Sequence, residues 1–176
     1  MKKLQVLLTG FVFALAGVAH AHGPVRHKVV ESIEINATPD AVWAIVGNFA
    51  KPEVWLPPVA STTETGGNEV GATRELTLKK GGVVKEELKK YEVDKKTLGY
   101  KITEVDPAVL PVATYTSTIM VEAAGAGSKV EWNGAFYRSF MNNNPPPEQS
   151  DEAAIHAVTQ MYKEGLANLK QVAEKK

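Results

Sequence analysis

From residue 59 to residue 140 the chain reads as one strand after another, and a single long amphipathic stretch follows. Runs of alternating apolar and polar residues are separated by Gly66-Gly67, Gly81-Gly82, Asp94-Lys95-Lys96-Thr97 and Gly125-Ala126-Gly127. Such turn residues between period-two runs mark strand ends. The pattern predicts six strands, at 59–65, 72–79, 83–93, 98–105, 114–123 and 129–139. Connections this short join antiparallel neighbours, so the six form a meander.

Upstream, Val29 to Ile35 alternates in the same way and predicts a first strand. Thr38-Pro39-Asp40 then reads as a helix start: a hydroxyl cap, a proline at the first helical position and an acid favoured by the dipole. Ala41, Val42, Ile45 and Val46 supply the buried stripe of a short helix. Phe49 to Trp55 predicts a second short helix, stopped by Pro57-Pro58. At the other end Ser150 caps a long helix, with Asp151 and Glu152 at its start and Lys170, Lys175 and Lys176 towards its end. Its apolar face is predicted to be Ile155, Val158, Tyr162, Leu166, Leu169 and Val172.

A sheet with one apolar face needs a cover, and only the terminal helix is long enough to provide it. The expected fold is therefore α+β. A curved, seven-stranded antiparallel sheet wraps around the long C-terminal helix, with two short helices after strand 1. The concave space between sheet and helix is a natural ligand cavity.

The first 21 residues read as a leader. Lys2 and Lys3 precede an apolar stretch from Leu4 to Val18, and Ala19-His20-Ala21 has the small-x-small form of a signal-peptidase site. The stretch is short for a hydrocarbon core of about 30 Å, so a retained transmembrane helix is the weaker reading. Cleavage after Ala21 predicts an exported, periplasmic protein with an arm at 22–28 and one domain at 29–176. The absence of cysteine excludes a lipoprotein anchor, disulfides and thiol chemistry. The chain carries 20 basic and 20 acidic residues, and loss of Lys2 and Lys3 leaves a slight acidic excess. That balance argues against a nucleic-acid binder or a broad anionic-membrane binder. The Lys pairs at 79–80, 89–90 and 95–96 sit among acids and read as solvated strand faces.

Several stretches, in order, resemble the START-like superfamily of polyketide cyclases and lipid-transfer proteins, the helix-grip fold. They are Ile33 to Trp43, Gly71-Ala72-Thr73-Arg74, Glu86-Glu87-Leu88 and Val130-Glu131-Trp132. A narrower resemblance lies in Phe136-Tyr137-Arg138, the Asn-Pro-rich loop 142–147, Asp151-Glu152-Ala153-Ala154 and the start His22-Gly23-Pro24. These are similar to an exported subgroup that includes the MxaD-type methanol-oxidation accessory proteins. That resemblance implies a periplasmic quinoprotein methanol dehydrogenase and its cytochrome c as partners. Where relatives often read Asp-Phe and then Trp-His-Pro, this chain has Asn48-Phe49 and Trp55-Leu56-Pro57, which removes acid or histidine chemistry there.

Strand alternation selects the polar groups that face the cavity. Arg74 shares a face with Leu76 and Leu78, Glu86 with Val84 and Leu88, Tyr100 with Ile102, and Arg138 with Trp132 and Phe136. An inward Arg must be paired or reach a ligand, because an unpaired buried charge is very costly. One reading is an anion or headgroup site built from Arg74, Arg138, Tyr100 and Tyr115. The other is an internal Arg74–Glu86 ion pair with Arg138 at a strand end in water. Trp132, Phe136 and Tyr162 read as core that also borders the pocket. Trp43, Trp55 and Phe49 read as core.

Cleavage would expose the amine and imidazole of His22, a chelating pair that His27 or His156 could complete for a copper-like ion. The plainer reading leaves His22 and His27 on a loose arm and His156 at the surface. No catalytic motif is present: no G-x-S-x-G, no H-E-x-x-H and no phosphate-binding glycine loop. The expected function is a non-catalytic periplasmic accessory without a cofactor, docking through the rigid Pro145-Pro146-Pro147 loop beside the cavity mouth. The alternative is a carrier of a small apolar or lipid-like ligand.

Overall fold

The computed structural model describes residues 23–175; the leader, its cleavage site and His22 lie outside the described residues. Seven antiparallel strands form one sheet: β1 (His27–Ile35), β2 (Val59–Thr65), β3 (Thr73–Leu78), β4 (Val83–Glu92), β5 (Thr97–Val105), β6 (Val112–Ala124) and β7 (Gly127–Arg138). Their order is β1-β7-β6-β5-β4-β3-β2, so the meander runs unbroken from β2 to β7 and β1 adds to its far edge. Helix α1 (Pro39–Val46) follows β1, and α2 (Asp151–Glu174) ends the chain. This is the helix-grip fold the strand pattern predicted. Among the described residues no helix is long and apolar enough to cross a membrane.

Local chemistry explains the elements. Thr38 Oγ1 accepts from the Ala41 amide and Pro39 fills the first turn, so α1 starts where the cap predicts. Ser150 caps α2 in the same way, accepting from the Ala153 amide at 3.1 Å. Two bulges interrupt the β4–β5 ladder, one leaving Thr103 of β5 unpaired opposite Lys85 and Glu86 and the other leaving Lys89 of β4 unpaired between Leu88 and Lys90, and such bulges bend a sheet locally.

Two expectations need correction. The second helix over Phe49–Trp55 is a single 3-10 turn, Pro52–Val54. Pro52 disfavours helical backbone at Lys51, whose φ is −132° and ψ 47°. The Phe49 carbonyl that would have begun a helix instead accepts from Arg74 at 2.8 Å. On α2 the buried face is Ala154, Val158, Tyr162, Gly165, Leu166, Leu169 and Ala173. Ile155 is exposed and Val172 only half-buried, because the seam follows the curved sheet and lets small residues take positions given to larger ones.

The C-terminal third of the helix is tied down by three hydrogen bonds. Asn168 donates to the Trp55 carbonyl, Lys170 to the Glu34 carbonyl, and Glu174 accepts from the Asn36 amide. At its centre the Trp132 and Tyr162 rings stack with centroids 4.1 Å apart. Gly134 allows this approach: a Cβ there would collide with the Tyr162 hydroxyl.

Candidate functional site

Between the concave face and α2 lies a cavity of about 240 Å³. The bend in β3 to β5 holds the sheet away from the helix there, and Leu56, Leu76, Val84, Leu110 and Met161 make the walls apolar. Exposed Pro58, Gln160 and Glu164 mark its opening. Three polar side chains reach its inner wall, those of Glu86, Tyr100 and Tyr115.

Glu86 faces Arg74 across the β3–β4 ladder. Arg74 Nε donates to Glu86 Oε2 at 2.6 Å, and both side chains are almost wholly buried. The guanidinium also lies over the Phe49 ring, 4.1 Å from its centroid, and over Tyr100 at 5.3 Å. Burial pushes the Glu86 carboxyl above the ordinary carboxylate range, and Arg74 pulls against that shift without cancelling it. The internal ion pair is therefore the correct reading of Arg74, which does not line the cavity.

The tyrosines form a network that a β-bulge makes possible. Between Ala113 and Thr116 the β6–β7 register slips, and Thr114 takes a φ of +49°. Val112 and Tyr115 then both point inward, three residues apart. Tyr115 and Tyr162 hydroxyls meet at 2.5 Å, and Tyr162 is 3.1 Å from Ser117 Oγ. Trp132 Nε1 donates to the same Ser117 oxygen at 2.7 Å. Burial raises the Tyr100 phenol to about 12 and those of Tyr115 and Tyr162 well above their usual value. All three keep their protons at neutral pH and offer hydrogen bonds rather than a phenolate base.

Arg138 belongs elsewhere, and the expectation that it sits at a strand end in water is wrong. Its side chain is buried, donating to the carbonyls of Phe140 and Asn142 and to the Asp151 carboxylate. Asp151 also bonds His27 Nε2 at 2.6 Å. The cluster ties β1, the loop after β7 and the start of α2 together. It brings His27 out of the predicted arm and into β1, which begins two residues earlier than expected. Burial acts to raise the Asp151 carboxyl, but hydrogen bonds from His27 and Arg138 hold it below its ordinary value.

An anion site of Arg74, Arg138, Tyr100 and Tyr115 is thus not assembled. Of the eight residues predicted to border the cavity, Glu86, Tyr100, Tyr115 and Trp132 do so, while Arg74, Phe136, Arg138 and Tyr162 stand behind its wall or apart from it. Nor does any residue of 142–147 line it, so the proline loop is not beside its mouth. Sequence reasoning passed over Ala157, Gln160, Met161 and Glu164, whose helical spacing beside the predicted stripe could have revealed them. Leu56, Val109 and Leu110 come from loops without any periodic signal. Among the described residues no group of three His, Asp or Glu side chains could hold a metal ion, and His156 is exposed on α2.

Residues 26–174 match the family described as polyketide cyclase / dehydrase and lipid transport. The chain belongs to that family. It is similar to the solved structure of the protein XoxI from Bacillus cereus. The two are 31% identical with a TM-score of 0.70, over 84% of this chain and 95% of that one. An uncharacterized protein from Bacillus thuringiensis is 29% identical with a TM-score of 0.71, over 84% of this chain and 99% of that one. Norcoclaurine synthase from Thalictrum flavum shares the fold at 17% identity and a TM-score of 0.64, over 98% of each chain. No curated protein matches the chain.

Proposed function

We propose that the domain carries a small, largely apolar molecule between its sheet and α2. The observation behind this reading is the cavity itself: apolar walls, an opening at Pro58, Gln160 and Glu164, and a few buried polar groups at its inner end. Cavities with this division of labour bury an apolar body and orient it through a few polar contacts. Its volume of about 240 Å³ exceeds the ~150 Å³ that holds a benzene ring in an engineered core. A ring with a short side arm fits. Glu86 is already paired and the phenols are protonated, which favours holding a molecule over abstracting a proton from it.

Native mass spectrometry of the protein purified under non-denaturing conditions tests this. A bound mass is expected in the wild type and should disappear in Ala157→Phe, which fills the cavity from the helix side. Protein without bound mass that also takes up no added aromatic probe would remove the reading.

A second reading is an exported accessory of methanol oxidation, acting between a methanol dehydrogenase and its cytochrome c. Two things support it: the MxaD-type residues at 136–138, 142–147 and 151–154, and the likeness to XoxI. Arg138 and Asp151, from two of those stretches, bond each other and hold the loop between them, whose Met141 is 49% exposed. The electron-transfer rate from dehydrogenase to cytochrome should rise with added protein. Equal rates across a concentration series would dismiss the role.

A further inference from the structure

A buried arginine shapes a piece of surface at the start of α2. The guanidinium of Arg138 donates to the Phe140 carbonyl, the Asn142 carbonyl and the Asp151 carboxylate. The carbonyls on either side of Met141 thus face inward, while the Met141 side chain is 49% exposed. Farther along, Asn144 holds a left-handed φ of +55°, and Pro146 is extended at φ −61° and ψ 150°. Three consecutive prolines stiffen that end of the loop. A loop already held in one shape spares a partner the cost of ordering it.

Two further apolar side chains flank the same cluster. Val25 lies two residues before His27, Ile155 lies one helical turn beyond Asp151, and His27 and Asp151 bond at 2.6 Å. Val25 is 57% exposed and Ile155 36%. Among the described residues the large exposed apolar side chains are otherwise all valines, so Met141 and Ile155 stand out by kind and by place.

Charge decides what this patch can meet. Glu148 and Glu152 are exposed beside it, and no Lys or Arg occurs from 139 to 162. Arg26 and Lys28, either side of His27, belong to the outer face of the sheet, where Arg26 donates to Thr116 Oγ1 at 3.2 Å.

We infer that Val25, Met141 and Ile155, set around the loop that Arg138 holds, form a docking face for a protein offering an apolar depression edged by lysine or arginine. This deepens the accessory reading and rests on it. The face lies apart from the cavity, whose walls include none of the three residues.

Interferometry of the full chain against the methanol dehydrogenase and, separately, its cytochrome c tests the face. Each partner is used native and with its lysines acetylated. One native partner is expected to bind, more weakly as salt rises, and acetylation should weaken it further. M141D/I155D should lower the affinity at least ten-fold, and E148Q/E152Q should flatten the salt dependence. Val93→Asp, exposed in the turn where Lys96 pairs with Asp40, should change nothing. All these side chains are at least partly exposed, and thermal melts matching the wild type exclude a folding effect. Wild-type affinity in M141D/I155D, or binding indifferent to acetylation and to E148Q/E152Q, would overturn the face and leave the accessory reading standing. Binding of neither partner would take down both. A dimer in sedimentation that M141D/I155D dissociates would assign the face to a second copy and overturn the inference as well.

Discussion

The hydroxyl of Tyr162 on α2 meets that of Tyr115 on β6 at 2.5 Å, inside the sheet it grips. Helix and sheet are joined here by a buried polar contact as well as by apolar packing. Two backbone features permit it: the bulge before Thr116 turns Tyr115 inward, and Gly134 leaves room for the Tyr162 oxygen.

Gly134→Ala should therefore destabilise the fold by about 1–3 kcal/mol, the usual cost of overpacking a filled site. Tyr162→Phe alone should cost about 1–2 kcal/mol for its lost hydrogen bonds. Combined, the two should cost less than their sum, because deleting the hydroxyl makes space for the new methyl. Urea denaturation of the four proteins checks this, and strict additivity would refute the clash.

Arg74→Met should cost about 3–5 kcal/mol at neutral pH, since it leaves Glu86 buried without a partner. Its pH dependence has a definite sign. The folded Glu86 carboxyl lies above its ordinary value of 4.5, so the native state binds the extra proton. Stability from this group is full below that value and is lost as pH rises through the folded one. Without Arg74 the folded value climbs further. The variant should therefore regain stability as pH falls from 7 towards 5, in contrast to the usual acid loss, and thermal melts across that range would show it.

Asp151 behaves in the opposite way. Its folded carboxyl lies below its ordinary 3.8, so its contribution is present above that value and fades as pH falls through the folded one. Asp151→Asn should destabilise by about 1–3 kcal/mol at neutral pH, by weakening the partner of buried Arg138. The gap between wild type and variant should narrow as pH falls below 3.8 and the carboxylate takes up its proton. A gap unchanged by acid would mean that the carboxylate charge is not what holds the loop after β7.

Export gives a simple readout. Expressed with its own leader in a Gram-negative host, the protein should appear in the periplasmic fraction with His22 as its first residue. Protein retained in the cytoplasm at full length would refute the leader.

Element order, strand count and the two side-chain caps were legible in the sequence, and the Arg74–Glu86 pair was one of two readings it allowed. Each follows from local periodicity, or from residues that alternate on facing strands: Thr38 and Ser150 cap because their hydroxyls reach amides three residues on. What alternation could not say was which inward residues meet. Arg74 and Arg138 both point inward, yet one closes onto Glu86 and the other onto Asp151, 13 residues along the chain but brought back by a turn without regular pattern. The cavity wall had the same limit, since Leu56 and Leu110 come from loops and only sheet curvature sets them opposite α2. The hydrogen bonds among Tyr115, Tyr162 and Ser117 depend on distances between two separate elements, β6 and α2. Local pattern determined the fold because a strand or helix answers mainly to its near neighbours in the chain. The chemistry of the cavity was decided by tertiary structure, because hydrogen bonds and ion pairs form only between groups that folding has already brought within about 3 Å.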